Sequence, residues 1–141
     1  MSGVRRFRPD AAGDYRWQGV EPLRYKEEGS AQFRDITRQV LFAPPDQESE
    51  LRYFEIAPGG YSTLERHAHT HAVLILRGHG TVRLGEEIHA IQAHDLVTVD
   101  PMTWHQFHAA ADSALGFLCL VSKERDRPQL PTPEEAARLR R

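Results

Sequence analysis

The residues of this chain best suited to chemistry are one carboxylate and a run of imidazoles: Glu65, His67, His69 and His71, followed later by His105. Histidine is the commonest metal ligand and the usual proton shuttle. All eight histidines of the chain lie between His67 and His108. Their spacing matters, because alternate side chains of an extended backbone share a face. Glu65, His67, His69 and His71 would therefore line one side of a straight strand over roughly 20 Å. A single ion, with ligand bonds of about 2.0–2.2 Å, cannot reach across that length. Either the chain bends here or some of the four are not ligands. A donor set of carboxylate and imidazoles without thiolate suits Fe(II), Mn(II), Ni(II), Co(II), Zn(II) or Cu(II) and does not choose among them.

The elements that must position these side chains read as short strands. Ile36–Phe42 is a candidate strand ending at Pro44-Pro45, and Leu51–Ile56 a second, ending at Pro58-Gly59-Gly60. Ala72–Leu76, Thr81–Leu84, Ile88–Ile91, Leu96–Val99, Trp104–Phe107 and Leu115–Val121 follow, separated by Gly, Pro and Asp. Strands at this spacing without intervening amphipathic helices point to an antiparallel sandwich or barrel. Pro101-Met102-Thr103-Trp104 reads as a turn that delivers His105 into a strand of its own. Phe107 shares the parity of His105 and should point inward; Trp104 has the opposite parity and should pack outside or at a subunit contact. Residues 1–30 have no sustained periodicity and read as an irregular arm with few obvious partners within a monomer. Residues 31–125 form the barrel and 126–141 a tail. Within the tail, Thr132 as N-cap and Pro133 at the first helical position predict a short helix ending near Leu139. The charged run Lys123–Arg127 reads as a solvated turn, and Cys119 as a small buried hydrophobe.

The stretch from Pro58-Gly59-Gly60 through Glu65, His67 and His71 to Gly78, together with Pro101 and His105, resembles the two motifs of the cupin superfamily. The likeness is strongest to small single-domain metal cupins of the quercetinase-like and four-histidine kinds. It implies an all-β fold, the double-stranded β-helix or jelly-roll barrel, with the irregular arm before it and the short helix after it. It also implies a metal held by Glu65, His67, His71 and His105, with Glu65 in the place of the first histidine. A competing register makes His67-Ala68-His69 the histidine pair. In the favoured register His69 sits at the mouth of the barrel and, with Phe107, lines a substrate pocket. The chain departs from the family at Ala93-His94-Asp95, where His94 must take the turn usually given to glycine, and at Ala109, which stands in place of a frequent asparagine. By resemblance the activity is that of a metal-dependent oxygenase on a small oxygenated or aromatic substrate, with Glu65 as a base. An isomerase or lyase that uses the metal to polarise a carbonyl, and a non-catalytic sensor, are the alternatives. Relatives commonly pair through their sheets, so a homodimer is expected.

Composition narrows the classes. Hydrophobic residues make up 40% and charged residues 27% of the 141, ordinary values for a globular domain. The formal charge of −2 argues against nucleic acid, whose backbone wants a basic face. No apolar run approaches the roughly 20 residues of a membrane span, and no apolar stretch follows the N-terminal arginines to make a secretory signal. A single cysteine permits no internal disulfide. These features point to a reducing, cytoplasmic setting, and the small-molecule substrate is what the family resemblance implies.

Overall fold

The computed structural model describes residues 2–24 and 33–139. Nine strands, all paired antiparallel, form one curled sheet. They are β1 (Leu23–Arg24), β2 (Arg34–Phe42), β3 (Ser49–Tyr61), β4 (His71–Arg77), β5 (His79–Leu84), β6 (Glu87–Gln92), β7 (Leu96–Val99), β8 (His105–Ala109) and β9 (Leu115–Ser122). The order across the sheet is β6-β5-β8-β3-β9-β4-β7, with β2 on the flank of β3 and β1 on β2. The expected jelly roll is present, and each expected strand has a counterpart; β1 was not foreseen.

One boundary differs. Pro58-Gly59-Gly60 does not stop the second strand, because β3 continues to Tyr61. Ile36 pairs with Ile56 while Arg34 pairs with Tyr61, so β3 carries a multi-residue bulge opposite Asp35. Gly59 sits at φ 77°, a conformation that glycine adopts without steric cost. A Cβ on Gly60 would lie 2.6 Å from the Arg34 carbonyl oxygen, so a side chain there would force the strands apart. The bulge lets one strand serve both halves of the barrel: residues 49–56 pair with β9, and Tyr61 pairs with His108 of β8. Strands that switch sheets commonly turn the corner this way.

The core is the inward face of this sheet. Phe54, Ile56, Val73, Ile75, Phe107, Phe117 and Cys119 are among its buried members, and Phe117 stacks against both Phe54 and Phe107. The turn after β6 is tightened as the sequence requires, with His94 at φ 80°. The tail helix, α1, runs Pro133–Leu139. Its start is a reciprocal cap: the Glu135 amide donates to Thr132 Oγ1 and the Thr132 amide to the Glu135 carboxylate, satisfying two donors at the helix end.

The N-terminal arm finds its partners within the monomer, contrary to the expectation. Phe7, Tyr15 and Trp17 form an aromatic cluster against Tyr53 of β3. The Tyr15 amide donates to Glu55, and the Gln39 side chain donates to the Tyr15 carbonyl. The arm covers outward-facing Tyr53, which no other element would bury. No helix among the described residues is long and apolar enough to cross a membrane.

Candidate metal centre

The link between β3 and β4 carries the histidines, and it is bent. Residues 68 and 69 form a bend between the isolated bridge at Glu65–Arg66 and the start of β4 at His71. The 20 Å ladder that a straight strand would make is thus folded up, and not every member turns inward. His67, His71 and His105 are buried, and their ligand nitrogens lie within 4.8 Å of one another. Their ring centroids stand 4.8–5.1 Å apart.

Outer contacts fix which nitrogen each ring offers. His67 Nδ1 lies 2.8 Å from the His69 carbonyl oxygen, and His105 Nδ1 lies 2.9 Å from that of Thr103. A carbonyl can only accept, so both rings carry their proton on Nδ1 and, when neutral, present the Nε2 lone pair. His71 Nδ1 lies 3.2 Å from Cys119 Sγ, and its Nε2 is buried with no hydrogen-bond partner. Partners that hold the remote ring nitrogen are what orients and polarises a metal-binding imidazole. Burial, reinforced by the neighbouring imidazoles, pushes the pKa of His71 down to about 2. Burial and then His69 lower that of His67, and burial lowers that of His105. Desolvation therefore keeps all three rings in the neutral, ligating form. The donor set, the orphaned Nε2 and the neutral rings fit a divalent metal ion, and these three buried histidines could hold one.

Glu65 is placed by the backbone. Its amide donates to the His105 carbonyl, and its carbonyl accepts from the His105 amide. Residues so paired put their side chains on one face, and Glu65 is buried at 8% exposure. Its charge works against, without overturning, the burial that lowers the pKa of His67 and His105. Its carboxylate lies outside the 4.8 Å cluster of imidazole nitrogens, beside the triad as a fourth group.

His69 goes elsewhere. Its ring stacks on His67 at 3.6 Å, and its Nδ1 contacts Asp126 Oδ1 at 2.7 Å. Asp126 also accepts from the amides of Ala68 and His69; these bonds and His69 hold its pKa below the usual range. The charged run 123–127 is therefore more than a solvated turn, since Asp126 clamps the bend that sets the spacing of His67 and His71. Two further ties fasten the same loop: Arg66 and Gln129 exchange backbone hydrogen bonds, and the Met102 amide donates to the His67 carbonyl. Trp104 is buried under the Arg66 guanidinium. Phe107 points inward as its parity requires and packs on Phe117 in the core. Sequence reasoning missed Asp126, whose partners lie 57 and 58 residues away. His79, His89, His94 and His108 are exposed.

Comparison with known proteins agrees with this geometry. Residues 52–121 match the cupin domain family. A protein of Rhodospirillum rubrum named 1-methylthio-D-xylulose 5-phosphate methylsulfurylase is 57% identical over 136 residues, spanning 96% of this chain and 86% of its own. A crystal structure of a cupin 2 conserved barrel domain protein from Rhodopseudomonas palustris superposes with a TM-score of 0.87 at 53% identity, covering 98% of this chain and 92% of the other. A cupin-2 domain structure from Rhodospirillum rubrum gives 0.85 at 57% identity, covering 95% and 89%.

Proposed function

We propose that this chain, which belongs to the cupin family, is a metal-dependent enzyme that cleaves the carbon–sulfur bond beside the carbonyl of a small ketose phosphate. The observation that carries the reading is the buried triad, His67, His71 and His105, whose Nδ1 atoms are engaged outward and whose Nε2 atoms remain. The name of the Rhodospirillum rubrum relative supports the substrate class. Three neutral imidazoles would leave a bound divalent ion open to oxygen donors and its charge undiminished, which would favour an anionic substrate. When bound, the metal would supply a Lewis acid for a carbonyl oxygen. The chain would do the rest. The bend clamped by Asp126 holds two of the imidazoles in place, and the core beneath keeps water from the inner side. Glu65, buried beside His105, is suited to move a proton at the carbon next to the carbonyl.

The test is metal-loaded protein with 1-methylthio-D-xylulose 5-phosphate, followed by the methylthio proton signal in NMR. The carbon keeps the bonding electrons and takes up a proton while the methylthio group passes to a thiol as a mixed methyl disulfide, so the assay is run with an added thiol and, as a control, in water alone. Metal-dependent loss of the signal is the expected result; no change with iron, manganese, nickel, cobalt, zinc or copper would sink the reading. The oxygenase implied by the family resemblance would use the same triad, and oxygen uptake matched to substrate loss would favour it instead. We also propose a homodimer. Leu74 and Leu96 face each other on neighbouring strands, with Leu120 nearby, and all three are exposed on the outer sheet face. Sedimentation at the monomer mass of 16.1 kDa would exclude it.

A further inference from the structure

Two arginines stand where a strand normally keeps apolar side chains. Arg38 lies two residues after Ile36 of the core, on the same side of β2. Arg52 lies two residues before Phe54 on the inward side of β3. The register pairs Arg38 with Phe54 and Val40 with Arg52, so the two arginines are diagonal neighbours on one face, within reach of long side chains. Arg52 stacks over the Phe54 ring at 4.8 Å, and its Nη2 approaches Cys119 Sγ at 3.6 Å. The same sulfur lies 3.2 Å from His71 Nδ1, so one atom separates this guanidinium from the histidine triad.

Among the described residues neither cation has a counter-ion. The Nε atoms of both Arg38 and Arg52 are buried without a hydrogen-bond partner, and no carboxylate among the described residues forms an ion pair with either. Glu50, two residues before Arg52, is engaged by Arg125 at 2.9 Å. Two like charges on one sheet face repel, and a buried, unpaired charged donor is costly. An arrangement with that cost is explained by a dianion arriving between them, because a guanidinium grips phosphate oxygens through parallel N–H bonds.

We propose that Arg38 and Arg52 form a phosphate-binding subsite inside the barrel, beside the histidine triad, for the phosphate monoester of the substrate. The anion site rests on the geometry; that its occupant is a ketose phosphate rests on the function proposed above. Arg52 and His71 lie on strands that flank β9, and because both touch Cys119 Sγ, at 3.6 and 3.2 Å, the guanidinium stands within about 7 Å of the imidazole. A short sugar phosphate can span that distance, with its carbonyl end at the triad and its phosphate at the arginines.

The test is calorimetry of the metal-loaded full chain with D-xylulose 5-phosphate, D-xylulose and inorganic phosphate, on the wild type and on Arg38→Gln, Arg52→Gln and the corresponding Lys variants. The wild type should bind the phosphorylated sugar at least tenfold more tightly than D-xylulose, and inorganic phosphate should compete. Each Gln variant should lose at least tenfold in affinity for the phosphorylated sugar, with unchanged affinity for D-xylulose and unchanged metal content, and Lys should restore part of it. Equal binding of sugar and sugar phosphate, or Gln variants that bind as the wild type does, overturns the subsite. So does a Gln variant that fails to fold, since the guanidinium is then structural. The two proposals fail separately. Arginine-dependent binding without turnover of the methylthio sugar phosphate overturns the activity and keeps the subsite. Turnover with wild-type KM in both Gln variants overturns the subsite and keeps the activity.

Discussion

The two faces of β3 carry equally polar side chains and treat them in opposite ways. On the outer face Glu55 is buried, and its Oε2 accepts from the Tyr53 hydroxyl, Arg77 Nη1 and the Tyr15 amide at 2.7, 2.9 and 3.2 Å. Arg77 also reaches Asp14 and lies over the Tyr15 ring. Among the described residues each of these charges faces an opposite charge, and of the buried polar atoms there Gln39 Oε1 lacks a partner. On the inner face His71 Nε2, Arg38 Nε and Arg52 Nε are all buried and unpartnered. Buried polar groups are normally satisfied, and each exception asks for an explanation. The outer network has the form of a structural fastening that pins the arm to the barrel. The inner set has the form of a site whose partners arrive from solution.

This contrast can be broken by exchanging losses of binding for losses of stability. The largest effect expected is on the inner face: His71→Ala should abolish retention of metal through desalting, read by elemental analysis. It should leave the melting temperature of the metal-free protein near that of the wild type, because it removes an orphaned polar atom. On the outer face, Glu55→Ala should do the reverse. Removing one member of a buried ion pair costs about 3 kcal/mol, the lower end of the usual range since Arg77 is partly exposed. Chemical denaturation should show that loss while metal content per folded molecule is unchanged. If Glu55→Ala loses metal or His71→Ala loses comparable stability, the division between the two faces does not hold.

Much of the inner site was legible from the sequence, and the reasons are local. Alternation put Glu65, His67, His69 and His71 in one series and the Pro101 turn delivered His105, while the resemblance to the cupin motifs chose among them and gave His94 the turn seen in its φ of 80°. What could not be read depended on register and on distant segments. The parity of Arg38 and Arg52 was visible beside Ile36 and Phe54, but only the pairing of β2 with β3 makes them neighbours. The bend that separates His69 from His67 and His71 is fixed by Asp126, which no local pattern connects to residue 69. Nor could the partners of the arm be seen, since Glu55 and Tyr15 lie 40 residues apart.

The smallest effect expected is a displacement along the pH axis, and it separates the faces once more because no histidine takes part in the Glu55 network. From the sequence alone, metal binding should weaken as pH falls through the ordinary histidine value near 6.5. The structure moves that expectation downward. Protons compete with the metal for Nε2, and burial lowers the proton affinity of all three rings, that of His71 to a pKa of about 2. Metal affinity should therefore stay nearly level as pH falls from about 8 through the unperturbed value of about 6.5, and decline only well below it. An exposed triad would begin its decline near 6.5, by up to about tenfold per pH unit for each histidine. The metal-free protein supplies the opposite half of the linkage. Its unfolded chain takes up protons near 6.5 and its folded state does so only at lower pH. The stabilisation from neutral histidines is thus complete above 6.5 and is lost as pH falls from there toward the folded pKa values, by up to about 1.4 kcal/mol per unit per histidine. Competition titrations and denaturation curves at several pH values measure the two halves. Glu55→Ala should lower the second curve without changing its shape. A metal affinity that already falls steeply between about pH 6.5 and 5.5 would show that the rings are solvated, and the burial of the inner face would then not govern its chemistry.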